Sequence, residues 1–81
     1  MIRPLNNNLV IKQIVEETLS GIYIPNPVKN LYAVIAIGKS VMETKVGDKV
    51  IVDIDKLREI KYQGSTYFLI SEDYVLGIVE D

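Results

Sequence analysis

Residues 32–38 read Tyr32-Ala33-Val34-Ile35-Ala36-Ile37-Gly38, a continuous apolar run stopped by a glycine. The run is shorter than a buried helix needs and suits a strand covered on both faces, as in a closed barrel. Downstream, Val46-Gly47-Asp48 has the composition of a turn, and Lys49-Val50-Ile51-Val52 opens another strand. Val50, Ile51, Ile54, Leu57 and Ile60 also fall at helical spacing, with Asp48 available as a cap, so residues 48–60 stay open between strand-plus-turn and partly helical. The three successive β-branched residues at the start favour the strand.

Further on, Ile60-Lys61-Tyr62 and Thr66-Tyr67-Phe68-Leu69-Ile70 flank Gln63-Gly64-Ser65, which suits a hairpin whose glycine takes positive φ. Ser71 reads as the N-cap of a single helical turn, with Glu72 and Asp73 where acidic side chains meet its positive end. Val75-Leu76-Gly77-Ile78-Val79 then forms a last strand. Upstream, Leu9-Val10-Ile11-Lys12-Gln13-Ile14-Val15 follows the turn-forming Asn6-Asn7-Asn8 and reads as the first strand. Short strands punctuated by turn signals predict an all-β fold, a small barrel, built as one domain over residues 1–81.

Composition agrees. Half of the chain is hydrophobic (48%) but only five tyrosines and one phenylalanine are aromatic, so Val, Ile and Leu must fill the core. A chain of 81 residues buries only about 60% of the surface its unfolded form exposes. With no cysteine for disulfides and no histidine for a zinc cluster, oligomerisation is the remaining way to stabilise it. The net charge of −2 has the wrong sign for a phosphate-backbone binder. No apolar run is long enough to span a bilayer, and Met1-Ile2-Arg3-Pro4-Leu5 has neither a signal-peptide core nor a transit pattern, so no membrane partner and a cytoplasmic location are expected.

The inventory also argues against catalysis. Without His or Cys, the usual general base and the most easily activated nucleophile are missing, and Ser20, Ser40, Ser65 and Ser71 have no imidazole beside them in sequence or space. Asp53-Ile54-Asp55 lacks the glycine and the distal glutamate of a calcium loop, and in a strand both carboxylates would face solvent. Glu16-Glu17 and Glu72-Asp73 read as solvated charge. We expect no enzyme, metal or cofactor.

The feature left over is the segment from Ile14 to Asn30. It contains Pro25 and Pro27, which exclude a helix and a central strand, and its length exceeds that of an ordinary structureless connection. At its centre stands Gly21-Ile22-Tyr23-Ile24-Pro25. Three large apolar side chains in a loop gain nothing unless something covers them. Either a partner does, or Ile22, Tyr23 and Ile24 pair as a strand in the domain's own sheet.

Taken in order, these pieces resemble the GroES-type co-chaperonins. Ile2-Arg3-Pro4-Leu5 is similar to that family's opening, Leu9-Val10-Ile11-Lys12 to its first barrel strand, and Ser20-Gly21-Ile22-Tyr23-Ile24 to its mobile loop. Val34-Ile35-Ala36-Ile37-Gly38 resembles the strand after the loop, Lys45-Val46-Gly47-Asp48-Lys49-Val50 its Val-Gly-Asp turn, and Ser71-Glu72 with Leu76-Gly77-Ile78-Val79 its C-terminal stretch. Asn7, Asn8, Tyr23 and Tyr74 depart from the residues usual there.

The resemblance implies a GroES-like barrel in a homo-oligomeric ring, a heptamer, that caps a GroEL-type chaperonin in a nucleotide-dependent manner and assists unfolded substrates indirectly. It places chaperonin binding on Gly21, Ile22, Tyr23, Ile24 and Pro25, and the joint between subunits on Ile2, Arg3, Pro4, Leu5, Leu76, Ile78 and Val79. Only six residues lie between Gly38 and Lys45, where relatives carry a roof hairpin, which implies a shortened member of a kind also found in bacteriophages. The alternative is a small SH3-like or oligonucleotide-binding barrel, for peptide or single-stranded nucleic acid, with Tyr62, Tyr67 and Phe68 as a stacking platform.

Overall fold

The computed structural model describes residues 2–14 and 31–80. Six antiparallel strands form one sheet: β1 (Asn8–Gln13), β2 (Leu31–Ile37), β3 (Lys49–Val52), β4 (Arg58–Tyr62), β5 (Ser65–Ser71) and β6 (Val75–Val79). Their order across the sheet is β4-β5-β1-β2-β3-β6.

This order forces the sheet to curl. β5 and β6 stand four ladder steps apart, roughly 19 Å in a flat sheet. They are nonetheless joined by one 3₁₀ turn, Glu72–Tyr74, whose three residues rise only about 6 Å. A second 3₁₀ turn, Ile54–Lys56, links β3 to β4 across the same number of steps. Two bulges supply the bend. Ile11 pairs with Val34 and Val10 with Ala36, leaving Ile35 as an extra residue in β2. Val52 pairs with Val75 and Ile51 with Gly77, leaving Leu76 extra in β6. Each extra residue increases local twist and resets which side chains point inward. That is why Val75 and Ile78, three apart, both pack on the core.

The curled face encloses Leu9, Ile11, Tyr32, Val34, Val50, Val52 and Ile70, with Phe68, Leu57 and Ile37 against them. Tyr32 meets Phe68 edge to face, with ring centroids 5.5 Å apart. Covering one such aliphatic side chain stabilises the fold by about 1.5 to 3 kcal/mol. β1 is the strand buried without interruption, at Leu9, Val10 and Ile11, because it lies between β5 and β2. β2, expected to be covered on both faces, instead alternates: Tyr32 and Val34 are buried and their neighbours are half-buried.

The open question over residues 48–60 resolves as strand, turn, strand. Val50 and Val52 are fully buried at the two-residue spacing of a strand, while Ile54 points outward at 55% exposure. The strand reading of Asp53-Ile54-Asp55 is corrected: Asp53 caps the following turn, its carboxylate accepting from the Asp55 amide at 3.1 Å. The hairpin turn is tighter than expected. Tyr62 pairs with Ser65, so only Gln63 (φ 49) and Gly64 (φ 79) form the loop, and both take the positive φ that suits a right-twisted ribbon. The Val46-Gly47-Asp48 turn forms as read, with Gly47 at φ 95 and the Asp48 carboxylate accepting from the Lys45 amide at 2.9 Å.

Candidate functional site

The sheet has two free edges among the described residues, and they differ in chemistry. β4 pairs only with β5 and presents Arg58, Glu59, Lys61 and Tyr62, all exposed. Charged side chains of this kind discourage another strand from adding. β6 pairs only with β3 and presents apolar side chains instead: Leu76 is 68% exposed and Val79 40%. Leu76 owes its exposure to the bulge. Gly77 has nothing within 4 Å of where a Cβ would stand, so packing inside the subunit does not call for a glycine there.

The residues before β1 form the second surface. Leu5 is 65% exposed and Arg3 is exposed, Ile2 is half-buried, and Pro4 is buried within its own subunit. Pro4 therefore anchors this segment and offers little contact area. Arg3, Leu5 and Lys39 border one open cleft. Leu76 and Ile78 border another, on which the charged groups are Glu43, Glu72 and Glu80. One cleft is basic and the other acidic.

A polar network holds both surfaces in place. The Gly38 amide donates to the Asn8 carbonyl and the Ser40 amide to the Asn6 carbonyl, each at 2.9 Å. A Cβ on Gly38 would stand 2.2 Å from the Asn6 carbonyl oxygen, so only glycine permits this approach. Asn6 itself adopts φ 58, a conformation asparagine tolerates better than most residues. Asn7 donates through Nδ2 to Ser71 Oγ at 3.1 Å and to Asp73 Oδ2 at 3.4 Å. Its carbonyl accepts from the Glu72 amide at 2.8 Å. Ser71 caps the Glu72–Tyr74 turn as the sequence predicts, Oγ accepting from the Asp73 amide at 3.3 Å.

Glu72 was read as solvated charge, and the structure corrects this. Its Oε1 accepts from the Met42 amide, and its Oε2 accepts from the Glu43 amide, the Thr44 amide and the Thr44 hydroxyl, all at 3.0 Å. Thr44 is the one buried polar side chain among the described residues. The contacts join positions about thirty residues apart, and nothing in the local sequence marks them.

The rival platform does not assemble. Tyr67 and Phe68 are neighbours on β5 and so point to opposite faces: Phe68 packs on Tyr32 in the core, while Tyr67 lies under the Lys12 ammonium, 5.5 Å from its ring centre. Among the described residues no cluster of three or more acidic, His or Cys side chains could hold a metal ion, and no helix is long and apolar enough to cross a membrane. Of the segment read as a loop, Ile14 is described, its amide donating to the Leu31 carbonyl at 3.4 Å; residues 15–30, with Gly21, Ile22, Tyr23, Ile24 and Pro25, lie outside the described residues.

Known proteins match this sequence along its length. The sequence profile of the family described as "Chaperonin 10 Kd subunit" matches residues 1–79. A co-chaperonin GroES of Thermodesulfovibrio yellowstonii is 39% identical over 98% of this chain and 97% of its own. One from Geotalea daltonii is 32% identical over 98% and 97%, and one from Clostridium botulinum 37% identical over 98% of each. With a six-stranded all-β sheet to match, the chain belongs to the chaperonin 10 kDa subunit family of GroES co-chaperonins.

Proposed function

We propose that this co-chaperonin assists protein folding in the cytoplasm by capping a GroEL-type chaperonin as a ring of identical subunits, seven by family resemblance. It works by binding and not by catalysis. Each subunit would reach the chaperonin through Gly21, Ile22, Tyr23, Ile24 and Pro25. It would join its neighbours through Ile2, Arg3 and Leu5, anchored by Pro4, on one side and Leu76, Ile78 and Val79 on the other.

The observation that carries the ring is the pair of unlike clefts. Arg3 and Lys39 beside Leu5 complement Glu43 and Glu80 beside Leu76. Two different, complementary patches on one subunit favour a head-to-tail contact, which makes a ring when the rotation closes. A strand added along β6 would also remove the apolar edge. The six residues between Gly38 and Lys45 support reading the chain as a shortened member without a roof hairpin, of the kind bacteriophages also carry, and its dome would have a wide opening.

Energetics explain why such a lid needs several copies. Burying Ile22, Tyr23 and Ile24 yields about 1.5 to 3 kcal/mol each. Ordering five backbone residues costs about 1 to 2 kcal/mol apiece, so one loop alone binds weakly. A ring turns the later contacts into intramolecular ones at high effective concentration. Ile24 is biased towards extended backbone by Pro25, which reduces the ordering cost.

The test is co-sedimentation with a GroEL-type chaperonin and ATP. Ile22→Asp or Ile24→Asp should abolish it while leaving the native mass and melting of the protein unchanged. Binding that survives both substitutions removes the loop from the mechanism.

A further inference from the structure

Glu72 is half-buried and makes no ion pair: among the described residues the one ion pair is the exposed Lys61–Glu59 contact. The charged groups lining its cleft are acids. Glu43 on the β2–β3 connection and Glu80 beyond β6 share its cleft, and Asp73 follows it on its own turn. Burial and like charge both oppose an ionised carboxylate. Burial does push Glu72 upward, but the amides of Met42, Glu43 and Thr44 and the Thr44 hydroxyl outweigh it and hold the group below the ordinary glutamate value. Hydrogen bonds to an ionised acceptor are about twice as strong as neutral ones, and here four converge on one side chain.

We propose that the successive amides of Met42, Glu43 and Thr44, with the buried Thr44 hydroxyl, form a site for a small carboxylate anion that is filled from within the chain by Glu72. Amides that converge on one point make an anion-binding concavity whatever carries the charge. Glu72 is thus a positioning residue. It ties the β2–β3 connection to the Glu72–Tyr74 turn and leaves Met42 at the tip, 90% exposed. Because its folded value is depressed, the clasp is complete above the usual glutamate range and is lost as pH falls through that lowered value.

Two measurements on the full-length protein test this. In Glu72→Ala, the amides of residues 42–44 should exchange with solvent at least roughly tenfold faster, the loss expected for one charge-assisted hydrogen bond. Molar sodium formate, but not sodium chloride at equal ionic strength, should slow them again. Unchanged exchange in the variant, or equal rescue by chloride, overturns the site. In the unaltered protein, the amide resonances of Met42, Glu43 and Thr44 should move together on acidification, with a single midpoint below the usual glutamate value. Three unrelated midpoints, or none, overturn it even if Glu72→Ala does not fold.

Discussion

β4 and β6 are both edge strands of five residues in the same sheet, yet one carries exposed charge and the other exposed apolar side chains. β4 offers the exposed charges Arg58, Glu59 and Lys61 and a single half-buried isoleucine, Ile60, opposite Tyr67. β6 offers Leu76, thrown outward by a bulge, and Val79. A subunit this small cannot keep an apolar edge in water without cost, so in the proposed ring the contrast would put one joint on the β6 side and none on β4.

The contrast breaks most sharply if β6 is given the chemistry of β4. Leu76→Asp with Val79→Asp removes about 1.5 to 3 kcal/mol of burial per side chain at each joint. We expect the native mass to fall to that of one subunit; an unchanged mass in sedimentation would place the joint elsewhere. The reverse exchange, Glu59→Val with Lys61→Val on β4, should give higher-mass or aggregated species. Their exposed ion pair at 3.8 Å is worth about 0 to 1 kcal/mol, so denaturant unfolding of the remaining soluble protein should barely move.

Smaller effects separate the two 3₁₀ turns. Asp53→Ala and Ser71→Ala each remove a cap worth about 0.5 to 2 kcal/mol. Ser71 also accepts from Asn7, so Ser71→Ala should be the costlier change in urea melts. Equal losses would mean that Asn7 adds nothing. Smallest of all is Gly77→Ala. With open space at its Cβ position, it should change subunit stability by less than about 0.5 kcal/mol, and any larger effect on native mass would place Gly77 inside the joint.

Much of this was legible in the sequence because strands, turns and caps are local. Ser71 as a cap, the turn at Val46-Gly47-Asp48, Gly64 at positive φ and the strands of the hairpin follow from residue type and spacing. Residues 48–60 were ambiguous because Val50, Ile51, Ile54, Leu57 and Ile60 fit two periods. Burial of Val50 and Val52 against β2 and β6 decides between them, and burial is a tertiary property. The bulges at Ile35 and Leu76 had no signal, since an extra residue shows only when two strands are aligned. The same holds for Glu72, whose partners lie across the fold. The apolar character of Leu76 and Val79 was visible, but their position on a free edge depends on a strand order that no local pattern encodes.

The place of β1 in the sheet bears on how the chain is made. Its residues pair on one side with β2 and on the other with β5, where Asn8 meets Ser71. During synthesis the most deeply buried strand must therefore wait, half-partnered, until Ser71 has been translated, and its apolar side chains stay uncovered for most of that time. Pairings so distant along the chain close slowly. Until then the growing chain is itself the kind of sticky, unfinished chain that chaperones exist to shelter.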